Sequence, residues 1–403
     1  MITGARIEIR GTVQGVGFRP WVARAARRLG VTGCVRNDAR GVTIEAFGAE
    51  DTLERFVAQL RTDAPPAARI ASLVREPLDA EAPNGFVIET SSAGGDKALS
   101  IPPDLATCQE CEGEVFDPGN RRYGYAFTNC TSCGPRFTIA TGIPYDRAQT
   151  TMASFEMCEA CDAEYQDVED RRFHAQPNAC PNCGPSLRFV ALGDGVAIAT
   201  EPMRATAALL QAGGIVGVKG LGGFHLACDA TNPEAVKLLR ERKRRDEKPF
   251  AVMVRHVSEA RELSALSTEE EALLESAERP IVLVARTEGS PIAAEVSPDT
   301  PLLGLFLPYT PLHHLLLDAV RGPLVMTSAN VSDEPICRGN EEARRRLDGI
   351  ADALLLHDRE IAMRCDDSVV RVIAGAPTVM RRSRGFVPRP VMLKSPVARP
   401  VLA

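Results

Sequence analysis

The sequence predicts a multidomain protein of mixed α+β and α/β class: a ferredoxin-like domain, a duplicated four-cysteine unit and an α/β domain with a mixed sheet. Three observations predict it. The first 91 residues alternate strand-like and helix-like apolar periods in the order β-α-β-β-α-β; four Cys-x-x-Cys pairs sit in a block that superimposes on itself; and from about residue 198 apolar runs alternate with helical stretches.

In the first region (residues 1–91), Ile7 and Ile9 alternate with charged residues as in a strand, and Phe18, Val22, Ala25 and Leu29 follow at helical spacing. Cys34 to Gly41, then Val42, Ile44 and Ala46, read as strand, turn and strand, with the turn at Asn37-Asp38-Ala39-Arg40. Leu53, Phe56, Val57 and Leu60 repeat the helical period, and Ile70–Val74 and Phe86–Ile88 supply the last strands. Between the first strand and helix lies Gln14-Gly15-Val16-Gly17-Phe18-Arg19. Glycines there let successive backbone N–H groups converge on an oxyanion, the helix N-terminus adds positive potential, and Arg19 offers a planar fork of donors. The same pattern also fits a tight turn with a surface arginine. Asn37, on the neighbouring strand, is placed to orient a water toward a held phosphoryl group, or simply to begin the turn.

Ser91 to Asp96 is a linker by composition, and the block at 104–190 contains the repeat. A shift of 50 lays Cys108 and Cys111 on Cys158 and Cys161, Arg121-Arg122 on Arg171-Arg172, and Cys130 and Cys133 on Cys180 and Cys183. In each copy eighteen residues separate the two pairs, and Gly-Pro follows the second. That spacing suits two structural zinc ions, each in a tetrahedral thiolate site; redox dithiols or disulfides are the competing reading. Four thiolates per ion leave no open position for catalysis, so this domain would stiffen the molecule. His174 falls inside the second copy and reads as a surface or packing residue. Cys34, Cys228, Cys337 and Cys365 have no paired spacing and read as small buried side chains.

Residues 198–392 form the α/β region, with strands at 215–218, 250–254, 281–284, 324–326 and 369–373 and a helix over 233–244. Gly217 to His225 does not fit a Walker loop, so phosphate chemistry there would need scattered cations. Lys243, Arg244 and Lys248 close a helix and could face one anion, or form a solvated helix end. Lys219 and His225 lie among glycines; Ser328 and Asn330 follow one strand, Asp367 and Ser368 precede another, and Arg381 and Arg384 follow a third. Strand ends are where open α/β sheets bind ligands. Of His313 and His314, one is expected to pack and the other to be exposed.

A formal charge of −6 argues against a protein that coats nucleic acid, although the arginines at 240–245 and 381–389 allow a local RNA surface. No apolar run approaches the roughly 20 residues that span a bilayer, and Met1 leads directly into a strand without a signal peptide. Cysteines grouped in pairs without a secretory signal favour metal binding and a cytoplasmic location.

The motifs Gly11 to Arg19 and Gly33 to Asn37 resemble the acylphosphatases over the first 90 residues. That resemblance implies hydrolysis of a carboxyl phosphate, with Arg19 binding phosphate and Asn37 positioning the attacking water. Thr327-Ser328-Ala329-Asn330, with the polar strand ends around it, resembles the YrdC family, which implies ATP, with magnesium, and an acyl adenylate. The order of the three regions is similar to the HypF family of carbamoyltransferases in nickel-iron hydrogenase maturation. The resemblance implies that carbamoyl phosphate is cleaved to carbamate, that carbamate is adenylated with ATP, and that the carbamoyl group passes to the C-terminal cysteine of HypE. HypF proteins continue with a sugar-kinase-like transfer domain, and residues 393–403 read as the start of a linker to it. A threonylcarbamoyladenylate synthase would share the third region but leave residues 1–190 unexplained, and an RNA-binding zinc protein is the rival from another class.

Overall fold

The computed structural model describes residues 2–38, 41–65, 68–89, 101–143, 145–193, 201–245, 247–330 and 334–391. The linker read at Ser91 to Asp96, the turn residues Ala39 and Arg40, and the segment from 393 lie outside the described residues.

Alternation in the first strand, β1 (Thr3–Thr12), buries Ala5, Ile7 and Ile9 while their charged neighbours stay on the other face. It is followed by α1 (Phe18–Leu29), β2 (Thr32–Asp38), β3 (Gly41–Gly48), α2 (Glu50–Thr62), β4 (Arg69–Pro77) and β5 (Phe86–Ile88). The sheet order is β4-β1-β3-β2-β5, with β5 parallel to β2 and the other pairs antiparallel. Phe18, Val22, Ala25 and Ala26 of α1 and Leu53, Phe56 and Leu60 of α2 fill one core with the buried strand residues. This is the ferredoxin-like arrangement expected. It leaves the β1–α1 loop beside the end of β2.

The repeat appears as two knuckles related by the shift of 50. Helix α3 (Gln109–Phe116) starts directly after Cys108, and α4 (Glu159–Gln166) directly after Cys158. The arginine pairs cross over. Arg121 reaches Cys161 Sγ at 3.1 Å and Arg122 pairs with Glu164, while Arg171 reaches Cys111 Sγ at 3.1 Å and Arg172 pairs with Glu114. Arg122 Nε donates to Ala179 O and Arg172 Nε to Asn129 O, again 50 residues apart. Each copy therefore holds the other's cysteine site.

The third region contains a ten-stranded mixed sheet. Strand β6 (Leu187–Ala191), at the end of the cysteine block, is its first member, followed by α5 (Pro202–Gln211), β7 (Val216–Lys219), β8 (Phe224–Asp229), α6 (Pro233–Lys243) and β9 (Ala251–Met253). Next come α7 (Val257–Leu263), α8 (Thr268–Glu275), β10 (Ile281–Ala285), β11 (Leu302–Phe306), α9 (Pro311–Val320) and β12 (Leu324–Ser328). Helix α10 (Asn340–Arg346) and strands β13 (Ala353–His357), β14 (Val369–Ile373) and β15 (Ala376–Arg381) complete it. The order is β15-β14-β10-β11-β9-β12-β8-β7-β13-β6. Strands such as β7 and β13 are buried at every residue because helices cover both faces, so they read as apolar runs rather than alternations. Both His313 and His314 are buried, at 0% and 6% exposure, which corrects the expectation that one is exposed: α9 is wedged between the sheet and α3, where His314 pairs with Glu112. Cys34, Cys228, Cys337 and Cys365 are buried as expected.

The cysteine block is bound to both neighbours. Leu105 enters the first core, Ala106 N donates to Ala277 O, Ala362 N donates to Thr138 O, and β6 pairs antiparallel with β13.

Candidate functional site

Two polar sites stand out. In the first, Gly15 (φ +65°) and Gly17 (φ +73°) hold the β1–α1 loop in left-handed conformations, and Gly17 caps α1. A Cβ on Gly15 would lie 2.8 Å from Pro102 and 3.1 Å from Tyr145, so glycine also allows the cysteine block to close over the loop. The Gln14 amide donates to Asp38 O and Gly41 O, fixing the loop against the end of β2 next to Asn37, which is 9% exposed. The side chain of Gln14 is thus committed to the scaffold. Among the described residues, Arg19 forms no hydrogen bond or ion pair. Burial lowers its pKa, opposed by Asp146 and Tyr165.

The same pocket is walled by Thr131, Arg136, Tyr145, Asp146, Phe173 and His174 of the cysteine block. Arg136 is 1% exposed and binds five carbonyls: Gly15 O through Nε at 2.9 Å, and Cys130, Thr131, Cys133 and Pro135 through its terminal nitrogens. It couples the first knuckle to the β1–α1 loop. Its role is not legible from its residue type or its local spacing. The available signal was a break in the repeat, because position 186, its counterpart, is Ser186.

The two cysteine quartets gather Cys108, Cys111, Cys130 and Cys133, and Cys158, Cys161, Cys180 and Cys183, with each set of sulfurs within 4.8 Å. Individual Sγ···Sγ separations run from 3.5 to 3.8 Å. A tetrahedral ion with Zn–S bonds near ~2.3 Å requires edges of about 3.8 Å. The quartets fit the ion.

The second site is a cleft of about 260 Å³ across β9 to β12 and β14, lined by Arg245, Lys248, Phe250, Met326, Ser328, Asp367 and Arg381 among others. Of the eleven sequence-selected residues here, Lys248, Ser328, Asp367 and Arg381 line the cleft. His225, Ser368 and Arg384 stand behind it. Asp367 accepts from Arg384 Nε at 2.7 Å and meets His225 Nε2 at 2.8 Å; Ser368 Oγ donates to Arg384 O; and Arg384 stacks over Tyr309 at 3.4 Å. Lys243 turns inward and donates to Ser328 O and to both oxygens of Asn330, fixing the loop at the cleft's end. Burial, then Arg245, lowers its pKa to about 8. Arg244 is an exposed left-handed C-cap of α6, and Lys219 donates to His357 O away from the cleft. Lys243, Arg244 and Lys248 thus do not converge on one anion. Arg245 supplies the additional cation, its pKa pushed down to about 10 by burial and by Arg240 and Arg381.

The arginine runs left open as an RNA surface are largely committed inward. Arg240 donates to Glu295 O and Val296 O, Arg384 is 1% exposed, and Arg389 pairs with Glu278.

Burial raises the Asp367 carboxyl, but Arg384 and His225 outweigh it and hold the pKa well below the usual range. A depressed carboxylate contributes stability that is present above its unfolded pKa, near ~3.9, and lost as pH falls through the folded value. Asp367→Asn leaves Arg384 buried without its counterion, and the expected loss at pH 7 is about 3–5 kcal/mol. Denaturant unfolding of both proteins at pH 7 and below pH 4 checks this, the gap narrowing on the acid side.

Comparison with known proteins follows the same division. Residues 5–88 match the acylphosphatase family, residues 107–140 and 157–190 each match the HypF finger, and residues 208–383 match the Sua5, YciO and YrdC family described as telomere recombination. With the sulfur geometry, the finger match supports zinc binding. The chain is 52% identical to carbamoyltransferase HypF2 of Cupriavidus necator over 96% of its own length and 51% of that protein's. It is 39% identical over 87 residues to an acylphosphatase of Enterococcus faecalis, covering 96% of the latter. Its structure superimposes on a crystal structure of full-length HypF in the phosphate- and nucleotide-bound form with a TM-score of 0.92 and 46% identity, covering 98% of this chain and 52% of that one. The chain therefore spans about half the length of the HypF proteins it matches. Among the described residues no helix is long and apolar enough to cross a membrane.

Proposed function

Because the chain belongs to the HypF carbamoyltransferase family, matching about half the length of its relatives, we propose that it makes carbamate from carbamoyl phosphate at the first site and adenylates it with ATP at the second. The observation that carries this reading is the presence of two anion-type sites in one chain, the Gln14–Arg19 loop walled by the cysteine block and the cation-lined cleft of the α/β region. The similar HypF structure is described as both phosphate- and nucleotide-bound, two ligands of the kinds these sites suit.

At the first site, backbone N–H groups of the loop and Arg19 hold the phosphoryl oxygens while Asn37 orients a water. Its oxygen bonds to phosphorus, the bond from phosphorus to the carbamoyl oxygen breaks, and carbamate leaves with the electron pair. The water's protons pass to the product phosphate and the medium. At the second site a carbamate oxygen bonds to the α-phosphorus of ATP, and the bond from that phosphorus to the bridging oxygen of the β-phosphate breaks. Lys248, Arg245 and Arg381 oppose the charge that collects on departing pyrophosphate, and Ser328, whose hydroxyl donates to Asn330 Oδ1 behind it, forms the polar end of the nucleotide site. Magnesium would accompany the triphosphate. Two zinc ions, one per quartet, would lock the knuckles that wall the first site. In the whole protein, transfer of the carbamoyl group to the C-terminal cysteine of HypE in the cytoplasm would follow.

Lys248→Ala is expected to reduce pyrophosphate formation from carbamate and ATP by about 10²-fold or more, as loss of a preorganised charge does. Phosphate release from carbamoyl phosphate should stay intact, since Lys248 lies in the other site. Parallel phosphate and pyrophosphate assays decide it, and equal loss of both reactions would refute the two-site division.

A further inference from the structure

The repeat breaks at a second position. Position 124 in the first copy is Gly124, with φ +65°, and its counterpart 50 residues on is His174, with φ +52°. The two positions are structurally the same, because Gly124 N donates to Val115 O as His174 N donates to Tyr165 O. Glycine suits this left-handed backbone, whereas a histidine there is strained. A Cβ at Gly124 would meet nothing within 4 Å. In the second copy the imidazole instead stacks on Tyr165, at 5.0 Å between ring centroids, and lines the first site. The knuckle fold itself does not require the side chain.

Asp146 is a second anomaly. It stands at the N-cap of a short 3₁₀ turn but makes no capping bond, and its carboxylate lines the same pocket as Arg19. A carboxylate opposes a dianionic phosphate unless it faces a part of the ligand that donates hydrogen bonds. Carbamoyl phosphate has such a part in its –NH₂ group, and acetyl phosphate has none. Gln176, the side-chain amide on this wall, is already committed to Arg147 N, Tyr165 Oη and His174 O.

We propose that His174 and Asp146 form the carbamoyl-recognising wall of the first site, accepting hydrogen bonds from the substrate's –NH₂ group while the Gln14–Arg19 loop holds its phosphoryl group. Burial first, and then the charge of Arg19, lowers the pKa of His174 against the opposing pull of Asp146, which keeps a ring nitrogen lone pair available as an acceptor. The proposal rests on reading the site as a carbamoyl phosphate hydrolase. Its consequence is selectivity, because an analogue without the donors leaves these acceptors unpaired.

The test measures phosphate release from carbamoyl phosphate and from acetyl phosphate by the full chain, His174→Gly and Asp146→Ala, each checked for zinc content. Glycine is what the first copy carries at this position, so His174→Gly relieves strain rather than adding it. Each variant is expected to lower kcat/KM for carbamoyl phosphate by about 10-fold or more, with acetyl phosphate turnover unchanged or raised. Equal losses on both substrates, or no loss on either, in zinc-replete variants would overturn the recognition role. An unaltered chain that hydrolyses acetyl phosphate as well as carbamoyl phosphate overturns the proposal and leaves the acylphosphatase reading standing. One that hydrolyses neither removes both.

Discussion

Replacing Arg19 with alanine is expected to reduce phosphate release from carbamoyl phosphate by about 10²–10³-fold, the range measured when one preorganised donor to a developing negative charge is removed. The guanidinium lies in a partly desolvated pocket without a bonded partner among the described residues, so its donors are available to a phosphoryl group. It should grip the substrate's phosphoryl group and hold the transition state more tightly still, so its loss raises KM and lowers kcat. Asn37→Ala is expected to act mainly on kcat, because water orientation matters in the transition state and little in binding. The same Arg19 variant also tests the relay. Given carbamoyl phosphate and ATP it should form no adenylate detectable by mass spectrometry, while added carbamate should restore it. Adenylate formed equally well without Arg19 would mean that carbamate does not come from the first site.

The second large effect concerns metal. Cys108→Ser is expected to lower zinc from two ions per chain to one by elemental analysis, and to unfold the first knuckle. Structural zinc supplies about 10–16 kcal/mol of binding free energy in finger peptides, more than a small unit's apolar core provides. Phosphate release should fall with it. Arg136, which holds Gly15 O, donates its other bonds to the carbonyls of Cys130, Thr131, Cys133 and Pro135, so loosening that knuckle frees the β1–α1 loop. Purified protein with no metal would defeat the zinc assignment. A variant that keeps full phosphate release after losing an ion would defeat the mechanical link.

Local periodicity made much of the architecture legible. Ile7 and Ile9 against Phe18, Val22 and Ala25 separate a strand from a helix because the two periods bury different residues, and the quartets follow from spacing because tetrahedral thiolate sites need closely paired cysteines. Lys243 shows where that reasoning stopped. Its charge suggested an anion, but only the packed loop reveals that Ser328 and Asn330 carbonyls already use its donors. His174 and Asp146 were invisible as site residues for a similar reason: they approach Arg19 only because a separate unit folds back over the loop. Strand β6 reads as the tail of the cysteine block until β13, more than 160 residues later, supplies its partner.

The crossed arginines set the size of the smallest heritable unit. Arg121 and Arg122 serve the second copy, and Arg171 and Arg172 the first, so neither copy contains its own charge balance. A tetrathiolate zinc site is doubly negative, and the nearest compensating cation comes from the sister sequence. Either copy expressed alone would therefore carry a tetrathiolate site without the arginines that face it in the intact repeat. Folding of either half is thereby tied to the presence of the other, and the repeat behaves as one part rather than two.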